Sequence, residues 1–417
     1  MSASTDLAER LFAELARETA DPPGVTRAAY GEGEQFAHDL MQREAAGLSC
    51  RTSVDAAGNL AMTLPGTDRN LPCLMIGSHL DSVPHGGNYD GAAGVIAGLA
   101  LIADLAERGF SPKQDIVVMA FRGEEAAWFP ISYLGSCAAL GMLDAELLET
   151  PRSDTGLSLA EHMRAAGFDP DAIQRGEPQL DRDRIAGFIE VHIEQGPALI
   201  GADLPVGLVS AINGGFRHMQ ARVSGGWDHS GATPRAFRRD AVLGFNAIVR
   251  KLEDAWDRIE HEGQTATITF GQVATDASLH GGSRVAGELT FSLDVRSQFD
   301  NVLERLRQDL VQCSAEAGLE HGVQVDLGEA FTWPMAAMSQ DLIATLEESA
   351  NVAGVPTMQM PSGAGHDAAV MAQAGVPTAM LFVRNENGSH NPHETMEIRD
   401  LDQAVQVLSQ YVRGTCP

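Results

Sequence analysis

The sequence is poor in basic residues. Its 29 Lys and Arg stand against 57 Asp and Glu, a formal net charge of −28. A chain of that sign is repelled by nucleic acid and by anionic membrane surfaces, so neither is expected as a partner. Cysteine is sparse as well: Cys50, Cys73, Cys137, Cys313 and Cys416 are odd in number, widely spaced and form no C-x-x-C pair, which argues against a bridged framework or a cysteine zinc site. No apolar run approaches the length that spans a bilayer. The longest, around Gly94–Leu105, is rich in Gly and Ala and is broken by Asp104. The opening stretch MSASTDLAERLFAELARE has neither the apolar segment nor the small-residue cleavage site of a secretory leader. The expectation is a cytoplasmic protein.

What is present is an ordinary globular composition, 44% hydrophobic and 21% charged over 417 residues, and that length predicts more than one domain. The first half alternates helix and strand: a helix over Gly33–Ala46, strands at Leu48–Thr52 and Leu60–Leu64, a fully apolar strand at Leu71–Gly77, a helix over Ala92–Arg108 and another apolar strand at Asp115–Phe121. Continuous apolar strands separated by a helix predict an α/β fold with a mostly parallel sheet. Between Val209 and Val325 the texture changes to alternating strands (Arg217–Val223, Thr265–Val273, Glu288–Arg296) and two helices (Asp240–Trp256, Asn301–Ala317). This predicts a smaller antiparallel α+β unit over 209–324, inserted between 1–208 and 325–417. The first texture then returns in a helix at Ala364–Ala374, a strand at Pro377–Phe382 and a helix at Leu401–Arg413.

The residues with chemistry gather at predicted strand ends, where ligands of open α/β sheets collect. GSHLDSVPHGGNYDGAAGV (77–95) places His79, Asp81 and Asp90 on a glycine-rich loop entering a helix, and FRGEEAAWF carries Glu124 and Glu125 side by side. His192 lies in EVHIEQGPAL and His390 in FVRNENGSHNPHE. Alone, Asp90 reads as a helix cap and His192 as a core histidine. Together, three histidines and two carboxylates suit a pair of zinc-like ions, with Asp90 bridging through its two oxygens. Two neighbouring acids in different environments divide into a ligand and a proton carrier.

These segments, with PPGVTRAAY, DHSGATPRAFRRDA and PSGAGHDA, resemble the zinc-dependent hydantoinase/carbamoylase amidohydrolases, which include N-carbamoyl-L-amino-acid amidohydrolases, allantoate amidohydrolases and β-ureidopropionases and are related to the aminoacylases. The resemblance runs in order over nearly the whole chain. It implies a metallohydrolase domain with an inserted lid and dimerisation domain. It also implies two divalent ions, Zn or alternatively Mn, Co or Ni, held by His79, Asp90, Glu125, His192 and His390. Asp81 would orient His79 and Glu124 would act as general base. His229 would donate to the developing oxyanion, completing the site of the partner in a homodimer, while Arg296 would clamp a substrate carboxylate and His366 would contact substrate.

The sequence departs from the family pattern at Trp128, Cys137, Ser283, and Phe216 beside Arg217. Trp128 and Phe216, with Arg217 and Ser283, are therefore expected to line the substrate and to favour a bulky or aromatic side chain. The function so read is hydrolysis of the C–N bond of an N-carbamoyl or N-acyl amino acid. An amide-conjugate hydrolase or dipeptidase-like enzyme is the alternative. A non-catalytic metal-binding relative is the least favoured reading, since Glu124 and every ligand position are present.

Overall fold

The computed structural model describes residues 2–416. They form two compact units, one made of residues through Ser210 together with those from Ala337 onward, the other of Ala211–Ala336. In the first unit a mainly parallel sheet is ordered Val206–Ile212, Thr378–Val383, Ile185–Ile193, Cys73–His79, Ile116–Phe121, Leu60–Leu64, Arg51–Val54. The strands from Thr378–Val383 to Ile116–Phe121 run parallel, and antiparallel strands flank them on both sides. The parallel strands are buried almost throughout, as their unbroken apolar sequences require.

The helix Ala92–Glu107 lies against this sheet with nearly every residue buried. Small residues bring it close: a Cβ on Gly94 would meet the Val191 carbonyl and the Ser78 side chain, and one on Gly98 would meet Val118. That approach holds the loop before the helix, which carries Asp90, over the strand ends.

The second unit has an antiparallel sheet centred on Gly214–Ser224 and Glu288–Ser297. Thr267–Thr269 and Val273–Thr275 pair with the latter strand, and Gln324–Asp326 and Ala330–Trp333 with the former. The helices Ala241–His261 and Asp300–His321 pack on one another and on the sheet. The first of them buries Gly244, Ile248, Leu252, Ala255 and Ile259, an amphipathic stripe at helical spacing.

Several boundaries differ from the sequence reading for local reasons. The second unit continues to Ala336, past Val325, because Gln324–Asp326 and Ala330–Trp333 belong to its sheet. The strand expected at Leu48–Thr52 begins only at Arg51, since Leu48 N–H still bonds helix carbonyls and Ser49 takes a left-handed φ of 62°. The strand expected at Thr265–Val273 is two strands, separated where Ser292 Oγ accepts the Gln272 N–H at 3.0 Å.

Candidate active site

The site grows from the end of the strand Cys73–His79. The carbonyl and the carboxylate Oδ1 of Asp81 both lie 3.2 Å from His79 Nδ1. Because both are acceptors, Nδ1 carries a proton, and Nε2 is the nitrogen turned toward the acidic groups. Nε2 lies 3.6 Å from Asp90 Oδ1 and 3.8 Å from Glu124 Oε2. His192 repeats the arrangement: its Nδ1 is 2.9 Å from the Ile193 carbonyl, and its Nε2 is 3.1 Å from the same Asp90 Oδ1. Asp90 Oδ1 is buried, and these two imidazoles are what face it.

The other oxygen of Asp90 looks to a different set. Oδ2 lies 3.5 Å from His390 Nε2, which is itself 3.2 Å from Glu125 Oε1. Gln195 Nε2 donates to Oδ2 at 2.8 Å, and the Ser389 hydroxyl, whose single proton is shared with Glu394 Oε2, lies against it. Two groups of side chains able to hold a metal ion therefore share one carboxylate: His79–Asp90–His192 and Asp90–Glu125–His390.

Asp81 does more than orient His79. Its oxygens accept the backbone N–H groups of Glu124 at 3.0 Å and Glu125 at 3.1 Å, which fixes the acidic pair against the histidine strand. Glu394 does the same for Asp90, accepting the N–H groups of Tyr89 at 2.9 Å and Asp90 at 3.1 Å and the Ser389 hydroxyl at 2.7 Å. Arg27, fully buried, donates to the Leu80 carbonyl at 2.7 Å and to Asn88 Oδ1 at 3.2 Å, bracing the same loop. Gly91 has a φ of +65°, and a Cβ there would run into the His79 ring.

The electrostatics are those of a buried cluster of acids and histidines. Burial pushes the Glu124 carboxyl well above its ordinary value, and Glu125, Asp367 and Asp81 push it further, although His79 opposes them. The bond to Glu125 raises His390 to about 9. Burial lowers His79, but Glu124, Asp81 and Asp90 outweigh it and hold the ring well above its usual pKa. His366 is buried beside them, its ring 4.5 Å from that of His192 and its Nε2 2.9 Å from Ser362 Oγ. Burial keeps it neutral.

The first unit thus brings together His79, Asp81, Asp90, Glu124, Glu125, His192 and His390, with His366 alongside. His229, Ser283, Arg217 and Arg296 belong to the second unit. His229 is exposed and pairs with Arg284 in a short antiparallel ladder between Asp228–His229 and Arg284–Val285. Its Nδ1 accepts the N–H groups of Gly231 and Ala232, both at 3.1 Å, which places the ring proton on Nε2. The Ser283 carbonyl accepts the Ser230 N–H at 2.9 Å in the same region.

Two expected substrate contacts are corrected. Trp128 packs in a hydrophobic cluster with Tyr30 and Phe129, and its indole N–H is taken by the Ser82 carbonyl at 2.7 Å. Phe216 is 1% exposed in the core of the second unit, because it lies on the face of its strand that packs with Phe291 and Val295. Sequence reading also passed over Gln195, Ser389 and Glu394. All three sit inside the motifs that carry His192 and His390, where spacing marks the candidate ligands but not the residues that hold them.

Comparison with known proteins agrees with this geometry. Residues 75–414 match peptidase family M20/M25/M40. The N-carbamoyl-L-amino-acid amidohydrolase of Paenarthrobacter aurescens is 32% identical over 99% of this chain and 98% of its own. The allantoate amidohydrolase of Bacillus subtilis is 31% identical over 93% and 91%. Among solved structures, a hydantoinase/carbamoylase family amidase from Burkholderia ambifaria superposes with a TM-score of 0.87 at 27% identity, covering 99% of this chain and 98% of that one. With the fold, the order of its motifs and these likenesses in agreement, the chain belongs to peptidase family M20/M25/M40 and is a hydrolase of its hydantoinase/carbamoylase amidohydrolase group.

Proposed function

We propose that the protein hydrolyses the C–N bond of an N-carbamoyl or N-acyl amino acid, using two divalent metal ions that share Asp90. The observation that carries this reading is the pair of donor groups meeting on Asp90. Each nearby histidine spends its Nδ1 on a fixed oxygen and turns its Nε2 toward Asp90 Oδ1, a buried oxygen. His79 and His192 would hold one ion, Glu125 and His390 the other, and Asp90 both. A set of imidazoles and carboxylates suits Zn²⁺ first, with Mn²⁺, Co²⁺ or Ni²⁺ as alternatives. When bound, such ions supply Lewis acidity toward the scissile carbonyl and toward water.

Glu124, next in sequence to a proposed ligand and with burial raising its carboxyl above the ordinary value, takes a proton from the attacking water and returns it to the departing nitrogen. His229 Nε2–H donates to the oxygen that gains charge, and Arg296 holds the substrate carboxylate through charge-assisted hydrogen bonds. The second unit supplies both, from the same chain or from the other copy in a homodimer. The burial of Trp128 and Phe216 removes the argument for an aromatic side chain.

The test is a panel of ureides and amides offered to protein reconstituted with each metal, scoring ammonia against free amine. Ammonia together with amine identifies a carbamoyl substrate, and amine alone identifies an acyl one. Metal-loaded protein that turns over neither class sinks the proposal.

A further inference from the structure

The acidic loop is also held by a buried ion pair that lies outside the donor groups. Glu34, on the helix Glu32–Gly47, and Arg122, directly after the strand Ile116–Phe121, are 0% and 1% exposed. Arg122 Nη1 donates to Glu34 Oε2 at 2.7 Å. The rest of the guanidinium is fixed as well, with Nε donating to the Gly58 carbonyl at 2.8 Å and Nη2 to Gln35 Oε1 at 2.7 Å. Its central carbon lies 4.7 Å from the centre of the Phe168 ring. Glu34 in turn accepts the Tyr30 N–H on Oε2 at 2.7 Å and the Gly123 N–H on Oε1 at 3.0 Å.

That last bond completes the pairing of the loop backbone. The N–H groups of Arg122, Gly123, Glu124 and Glu125 go in turn to Asn59, Glu34, Asp81 and again Asp81. The carbonyls of Arg122, Gly123 and Glu124 accept the N–H groups of Gly135, Leu134 and Tyr133. Gly123 makes the turn from strand to acids with a left-handed φ of 59°. A buried ion pair is a poor source of stability, because desolvation of two charges offsets their attraction and a well-packed apolar pair serves as well. An apolar pair, however, has no oxygen to offer the Gly123 N–H. We propose that Glu34 and Arg122 are positioning residues for the proton transfer assigned to Glu124. Arg122 fixes the Glu34 carboxylate, the carboxylate fixes the Gly123 peptide, and that peptide sets where the Glu124 carboxyl reaches. Glu125 is one residue further from the pair and is held by Asp81, so the proton carrier depends on the pair more than the candidate ligand does.

The inference rests on the reading of Glu124 as general base, and the experiment separates the two. Turnover is measured on metal-loaded full-length protein with N-carbamoyl-L-alanine or N-acetyl-L-alanine, whichever wild type hydrolyses. In E34Q the donors of Tyr30, Gly123 and Arg122 meet an amide that has a single acceptor oxygen. Its kcat is expected to fall about tenfold or more, while KM and metal affinity, read by competition with a chelator, stay within about twofold. In an E124Q background E34Q is expected to lower the residual turnover by less than about twofold, because the group it places no longer carries a proton. A merely structural role takes the same factor from both backgrounds. R122K keeps the charge and loses the fork, and is expected to repeat the pattern with a kcat loss of about threefold or more. If E34Q does not fold, R122K decides by the same comparison. The inference is overturned if metal affinity falls in step with kcat, if the loss is equal in both backgrounds, or if kcat does not change. If E124Q keeps the kcat of wild type, or wild type hydrolyses neither compound, the reading of Glu124 itself fails and the inference with it.

Discussion

Asp81 Oδ1 stands 3.2 Å from His79 Nδ1 while the same carboxylate holds the N–H groups at the start of the neighbouring acidic loop. One buried side chain therefore sets the ring orientation of one candidate ligand and the position of Glu124 and Glu125. In D81N an amide NH₂ must face either a ring N–H or backbone N–H groups. We expect metal affinity to fall about 10–100-fold, read by competition with a chelator, with activity falling in step and recovering in part at saturating metal.

E124Q separates proton transfer from metal binding. The amide keeps the shape of the side chain but does not carry a proton between water and a leaving nitrogen. Metal content measured by elemental analysis should match wild type while kcat drops by at least about 10²–10⁴-fold. Loss of metal together with activity would reassign Glu124 as a ligand.

Gly91 tests how tightly the loop is built. Its φ of +65° and the nearness of the His79 ring leave no room for a methyl group. G91A is expected to cost about 1–3 kcal/mol of stability from backbone strain and displacement of the ring and to lower metal content. Denaturant unfolding and elemental analysis check the two effects separately.

W128F tests whether position 128 belongs to the core. It removes the indole bond to the Ser82 carbonyl, a loss of about 1–2 kcal/mol, and leaves an apolar ring in the cluster. Stability should fall while the ranking of substrates on the panel stays the same. A changed ranking would restore Trp128 to the substrate wall.

Asp367 makes stability depend on pH. Burial and the nearby Glu190 raise its carboxyl to about 8, Ser136 Oγ bonds one oxygen at 2.5 Å, and the other oxygen is buried without a partner. The folded state thus keeps a proton that the unfolded chain has released. This group's contribution makes stability fall as pH rises from the ordinary carboxyl range toward about 8, and level off above it. D367N, neutral at every pH and able to keep the Ser136 bond, should flatten that slope in urea titrations of chelator-treated protein.

Much of this molecule was legible in its sequence. Unbroken apolar runs such as DIVVMAF could bury both faces only in a parallel sheet, and His79, Glu125 and His390 follow such runs. Alternation in ELTFSLDVR marked a sheet with a solvated face. What was hidden depended on contacts between distant segments. Nothing local to Glu394 says that it holds the backbone of Asp90, and nothing local to Asp294 says that it faces Arg217. Trp128 and Phe216 were misread for the same reason: a departure from a pattern marks a changed position, while which way the side chain points is decided by packing against Tyr30 or Phe291.

The strand Thr378–Val383 lies between Ile185–Ile193 and Val206–Ile212, two strands made in close succession. During synthesis those two have no direct partner in one another, and the gap stays open until the chain has grown through the whole inserted unit. The bond from Glu394 to the Asp90 N–H then closes a separation of 304 residues. The candidate ligand set is therefore one of the last things the ribosome completes. A chain that ends before residue 390 holds His79, Asp90, Glu125 and His192 but not His390, so the proposed set of donors is complete only in the finished fold.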